Sequence, residues 1–270
     1  MTEGTPVINP VSKQGYILEF DESFHGDDLD GSRWLPYYLP HWSSREAARA
    51  RYHIEQGALN LLIEEEQKPW CPEFDGDIRV SSLQTGLFAG PIGSPIGQMH
   101  FKPSLRVREA QESGKLYTPQ YGFFEMRAKA TADPHCMVAL WMIGHEDVPE
   151  HSAEICIFEI FGRELTPDTT AVGMGLHPWG DPTIHEEWAA EHLAIDAREY
   201  HTYAVEWTPD HVAFFVDDKL VKVSNQSPSY PMQFMLSIYE FPEGRQVASS
   251  YPKRFTVDYF RGYRAAPAPG

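Results

Sequence analysis

Cysteine is scarce in this 270-residue chain. Cys71, Cys136 and Cys156 are the only three, and no two of them form a Cys-x-x-Cys pair. Neither a disulfide framework nor a cysteine zinc site is expected. Basic residues are also few, 22 against 39 acidic, which leaves a formal net charge of -17. A field of that sign repels phosphate backbones and anionic membrane surfaces, so neither nucleic acid nor a membrane is an expected partner. It disfavours polyanionic sugars too. No apolar run approaches the roughly 18 residues of a spanning helix. Met1 to Pro10 carries neither a basic n-region nor an apolar h-region, so no secretory signal is expected in this chain and the sequence alone points to the cytoplasm. Helix signals are confined to 45–52 and 185–193, each long enough for two turns, and no internal repeat is visible.

What the chain has is strand. Segments 16–20, 58–63, 121–130, 137–143, 154–161, 200–207, 211–216, 219–223, 232–239 and 254–261 are short, rich in β-branched and aromatic residues, and many of them alternate. Asp217-Asp218 between two of them reads as a tight hairpin. The 22 prolines suit loops and oppose long helices. Ten or more strands with little helix predict an all-β, two-sheet antiparallel sandwich. With no linker in sight, residues 1–270 read as one domain, with flexible ends at about 1–14 and 265–270. Segment 64–100 is too long for a hairpin and is expected to wall a cleft. Aromatics make up 13% of the chain, and loop tryptophans Trp70, Trp179 and Trp188 are candidates for binding a ligand rather than packing.

The informative strand is 153–162, AEICIFEIFG. Glu154 and Glu159 sit there in an apolar context, where charge is rarely buried without a partner. In a regular strand, residues five apart face opposite ways. One bulge between Cys156 and Glu159 would return both carboxyls to one face, and bulges re-aim side chains beside active sites. The two Cα atoms would then lie about 13 Å apart at roughly 3.3 Å per step, so the carboxyls must lean together to work as a retaining pair.

At this point the sequence resembles glycoside hydrolase family 16, which includes laminarinases, lichenases and agarases. The family's Glu-x-Asp-x-x-Glu reads Glu154-Ile155-Cys156-Ile157-Phe158-Glu159 here. FDESF (20–24), YGFFEMRAKA (121–130), ALWMIG (139–144), the hairpin 200–221 and RFTVDYFRGY (254–263) resemble other family segments in order. The resemblance implies a jelly-roll sandwich with a concave cleft for an extended glycan. It implies Glu154 as nucleophile and Glu159 as acid/base, in an endo-acting retaining hydrolase of β-linked glucan, with the β-1,3 linkage as the expected one.

By family position, Glu125, Arg127, Trp141, His177, Trp207 and Tyr239 are expected to bind substrate. Asp258 and Gly57 are expected ligands of a structural calcium, with no cofactor needed for the chemistry. A polysaccharide or oligosaccharide is the expected partner, to a monomer, and most family members are secreted. The departure is Cys156, where the family has Asp. A thiol of pKa about 8.5 is neutral at pH 7 and a poor hydrogen-bond partner. A lectin-like protein with weakened or lost catalysis, and a transglycosylase, are the alternatives.

Overall fold

The computed structural model describes residues 9–242 and 250–267. In chain order the strands begin β1 (Tyr16–Glu22), β2 (Arg51–Glu55), β3 (Ala58–Ile63), β4 (Arg79–Gln84), β5 (Gly86–Leu87), β6 (Gly114–Lys115), β7 (Gly122–Lys129) and β8 (Cys136–Gly144). They continue with β9 (Glu154–Phe161), β10 (Thr170–His177), β11 (Ala189–Leu193), β12 (His201–Trp207), β13 (Val212–Val216), β14 (Lys219–Ser224), β15 (Met232–Glu240) and β16 (Lys253–Ala265). One α-helix of four residues, α1 (Pro72–Asp75), interrupts the long loop.

Two antiparallel sheets form a jelly-roll sandwich. One runs β14-β13-β12-β7-β16-β3-β2, with β1 also paired to β16; the other runs β11-β10-β9-β8-β15-β4. Alternation decides what lies between them. Phe124 and Met126 of β7, Val138, Leu140 and Met142 of β8, Phe234 and Leu236 of β15, and Phe255 and Val257 of β16 turn inward as one core. Such packing is the main favourable term in folding.

The six-stranded sheet differs in that its other face is apolar too. Met137, Ala139, Trp141 and Ile143 of β8, with Met235 and Tyr239 of β15, pack there against Tyr38, Trp42, Trp70, Phe74, Leu105 and Val107 from the 35–108 region. Every residue of β8 and β15 is therefore buried. The long segment walls the cleft and also supplies β4, an edge strand that its mixed composition hides.

Asp217 and Asp218 both adopt positive φ, 50° and 60°, as a two-residue primed turn requires. Neither expected helix forms. At 45–52 one turn closes on Ser44, and the chain then leaves to pair as β2 with β3. At 185–193 the chain becomes β11 on the edge of β10. In both places strand pairing satisfies backbone groups that so short a helix would leave open at its ends. Of the ends expected to be flexible, 1–8 and 268–270 lie outside the described residues. Asn9 and Lys13 are instead tied down, both reaching the buried carboxylate of Glu125, and Ala265 ends β16.

Candidate active site

Strand β9 carries the site, and its register explains how. Cys156 pairs with Trp141 and Phe158 with Leu140, so Ile157 is the extra residue of a bulge. The same extra residue shows against β10, where Glu159 faces Gly173 and Cys156 faces Gly175. Ile155, Ile157, Phe158 and Ile160 all enter the core, two of them consecutive. Hydrophobic burial of that pair forces the bulge, and the bulge brings Glu154, Cys156 and Glu159 onto the opposite face. Their ligand atoms lie within 4.8 Å of one another.

Both carboxyls are pushed toward the neutral form. Burial raises Glu154 to about 7, with the charge of Glu159 adding to it and His177 opposing it. Burial also raises Glu159, again against His177. The two oxygens are not equivalent. Glu154 is buried and accepts a 2.9 Å hydrogen bond from Trp179 Nε1, which favours its ionised form. Glu159 is more open to the cleft. The Trp188 indole N–H lies against Cys156 and Glu159 and draws both down, without full hydrogen-bond geometry to either. Cys156 is completely buried, and burial, then Glu159 and Glu154, hold its thiol well above the usual range. It contributes no charge between the glutamates.

The surroundings follow from the neighbouring strands. Glu154 pairs with Ile143 and His177, and Trp141 and Tyr239 complete the same cleft with Tyr38, Asp75, Met99 and Met137. His177 Nδ1 meets Glu186 at 2.9 Å, and its ring stacks on Trp188. Two glycines make room for this. A Cβ on Gly173 would stand 2.3 Å from the Trp188 ring, and one on Gly175 would stand 2.2 Å from the Glu187 carbonyl oxygen. Gly175 also has φ +146°. Gly175→Ala is therefore expected to cost on the order of 2 kcal/mol. At roughly 2–4 °C per kcal/mol, calorimetry should show melting lowered by at least about 4 °C.

Trp141, His177 and Tyr239 thus lie with the carboxylates. Glu125, Arg127 and Trp207, expected there, do not, because β7 and β12 belong to the other sheet. Glu125 is fully buried on the outer face of that sheet, where Lys13 meets it at 2.9 Å and Arg261 at 3.4 Å. Arg127 pairs with Asp258 at 2.5 Å and covers the Tyr200 ring. Trp207 is a core residue whose Nε1 donates to Ser227 and Pro228.

Trp70 is buried as well and donates to Asp75, which it presents to the cleft. Asp258 does not fit the calcium role expected of it, because the Arg127 guanidinium already pairs with its carboxylate at 2.5 Å. Sequence reasoning missed Tyr38, Asp75 and Met99, which come from irregular segments and the four-residue α1 and carry no periodic signal. Trp179 was legible only as a loop tryptophan.

Three comparisons bear on this arrangement. The chain is 32% identical, with a TM-score of 0.83, to the GlcNAcα1-4Gal releasing endo-β-galactosidase from Clostridium perfringens, over 98% of this chain and 66% of that one. It is 24% identical to glucan endo-1,3-beta-glucosidase A1 of Niallia circulans over 97% of this chain, and spans 39% of that protein's length. Its fold is shared with the laminarinase of Flavobacterium sp. UMI-01, with a TM-score of 0.63 at 21% identity over 92% of this chain and all of that one. The glycosyl hydrolases family 16 profile matches residues 105–261, more than half of the chain and the whole carboxylate strand with its partners. The bulged strand therefore lies inside a stretch held in common with that family, and the chain belongs to glycosyl hydrolases family 16.

Proposed function

We propose that this protein is a retaining endo-glycosidase that cleaves β-galactoside bonds within a neutral glycan. The carrying observation is the carboxyl pair, with ligand oxygens within 4.8 Å. That spacing suits a retaining pair at about 5–5.5 Å and leaves no room for the water of an inverting one, which needs roughly 6.5–9.5 Å. Glu154, buried and held by the Trp179 N–H, attacks the anomeric carbon as carboxylate. Glu159, more open, protonates the leaving oxygen and then takes a proton from water to release the glycosyl-enzyme. Burial raises the proton affinity of both carboxyls, and the charge of Glu159 adds to it at Glu154; the steps begin from the pair with its proton on Glu159.

The galactoside bond is favoured by the likeness to the Clostridium perfringens enzyme along nearly the whole chain. A β-1,3-glucan is the second reading, favoured by the Niallia circulans relative. Incubation with a panel of β-galactans and β-glucans, read by new reducing ends and by the anomer first released, tests both. The expected result is internal cleavage of a β-galactoside with a β-anomeric product. Cleavage of laminarin alone selects the second reading, and tight binding without any new reducing end would mean a lectin.

A further inference from the structure

Beside the catalytic pocket lies a second cavity of about 350 Å³, at the small end of ligand sites. Met99 and Trp179 line both, so the two adjoin. The second cavity lies past Glu154, at the end of β9 away from Glu159, under Ser152 and the turn that carries Glu146. The 95–101 segment, the 146–152 turn and Trp179-Gly180 wall it.

We propose that this cavity is a side-branch site, taking one pyranose ring carried as a substituent on the sugar that Glu154 attacks. The proposal rests on the glycosidase reading above. Its chemistry is that of a monosaccharide site. Trp179 and Ile96 are each 48% exposed and offer apolar faces to the flat side of a ring. Phe101 adds a third. The polar side chains lining it are His100, Glu146 and Ser152, and the last two are fixed. One oxygen of the buried Glu146 carboxyl accepts from Met99 N at 2.7 Å, and Ser152 Oγ accepts from Gly180 N at 2.9 Å while its own hydroxyl proton is free to turn.

Burial raises Glu146 to about 8, so near neutrality it carries a proton and can donate to a sugar hydroxyl. The backbone also supports a functional use. Met99, Glu146 and Trp179 all adopt left-handed φ of 55°, 57° and 45° without being glycine. Strain of this kind persists where surrounding structure holds it, and it clusters at ligand clamps.

Ile96→Trp fills the cavity from an exposed loop position and leaves both glutamates untouched. The test compares a linear β-galacto-oligosaccharide with the same chain bearing one α-linked sugar. Hydrolysis is measured in wild type, Ile96→Trp and the wider Ile96→Ala. Binding is measured by calorimetry in a Glu159→Gln background.

The expected result is a wild-type preference for the branched chain of at least tenfold in kcat/KM. Ile96→Trp abolishes that preference while changing the linear substrate less than twofold, and Ile96→Ala keeps it. Equal loss on both substrates would make the cavity part of the main cleft and overturn the proposal while leaving the glycosidase intact. No preference in wild type, or none lost in Ile96→Trp, overturns it too. Branched-chain binding that Ile96→Trp weakens, without hydrolysis of either chain, would keep the side-branch site and remove the glycosidase reading. Absence of both binding and hydrolysis overturns both.

Discussion

Glu154→Gln and Glu159→Gln each reduce hydrolysis by roughly 10²–10⁴-fold or more, the range expected for removing an acid/base and a lower bound for removing a nucleophile. The fold survives in both, because an uncharged amide of the same shape replaces a carboxyl that burial already drives toward neutrality. Azide separates the roles. With Glu154→Gly it occupies the space of the lost carboxylate and yields a glycosyl azide of inverted configuration. With Glu159→Ala it attacks the glycosyl-enzyme and yields one of retained configuration. Near-wild-type rates in both glutamine variants would remove the assignment.

A stability measurement checks the same pair without any substrate. The folded protein holds the Glu154 proton up to about pH 7, against an ordinary 4.5. Between those values the folded state binds more protons than the unfolded one, so stability is full below pH 4.5 and falls as pH rises through 7. Glu154→Gln cannot ionise. Its melting temperature relative to wild type is therefore expected to be higher at pH 8 than at pH 5.

Cys156→Asp is expected to move the basic limb of the pH–rate profile upward by about one unit, equivalent to about 1.4 kcal/mol. The thiol is neutral, and its sulfur lies within 4.8 Å of both catalytic oxygens. A carboxylate there places negative charge close to Glu159, which raises the proton affinity of the acid. That limb reports the acid, so the active range widens toward higher pH. An unchanged profile and rate would show that position 156 has no electrostatic part. Lower activity would show a site built around the sulfur, with Gly173, Trp188 and the Gly173 carbonyl 3.7 Å away shaped for it.

The alternating and apolar segments were enough to predict an all-β antiparallel sandwich, because strand periodicity and turn chemistry are local. The bulge was legible as well. Ile157 and Phe158 are two apolar residues in a row between polar ones, and the i, i+5 glutamates could share a face only if that pair went inward together. The expected helices at 45–52 and 185–193 failed because pairing with distant strands outweighed a weak local propensity.

Which sheet a strand joins is not local. Glu125, Arg127 and Trp207 carry the same alternating pattern as Trp141 and Tyr239. Only the strand order, with β7 and β12 in one sheet and β8 and β15 in the other, sends the first three away from the cleft. The sequence by itself determined the strand-rich architecture and the bulged carboxylate strand, since both rest on periodicity within a few residues. The tertiary structure decided what surrounds the carboxylates. Tyr38, Asp75 and Met99 come from the region that covers the apolar outer face of one sheet, Trp179 and Trp188 from the connection between β10 and β11, and only the folded chain brings the two together.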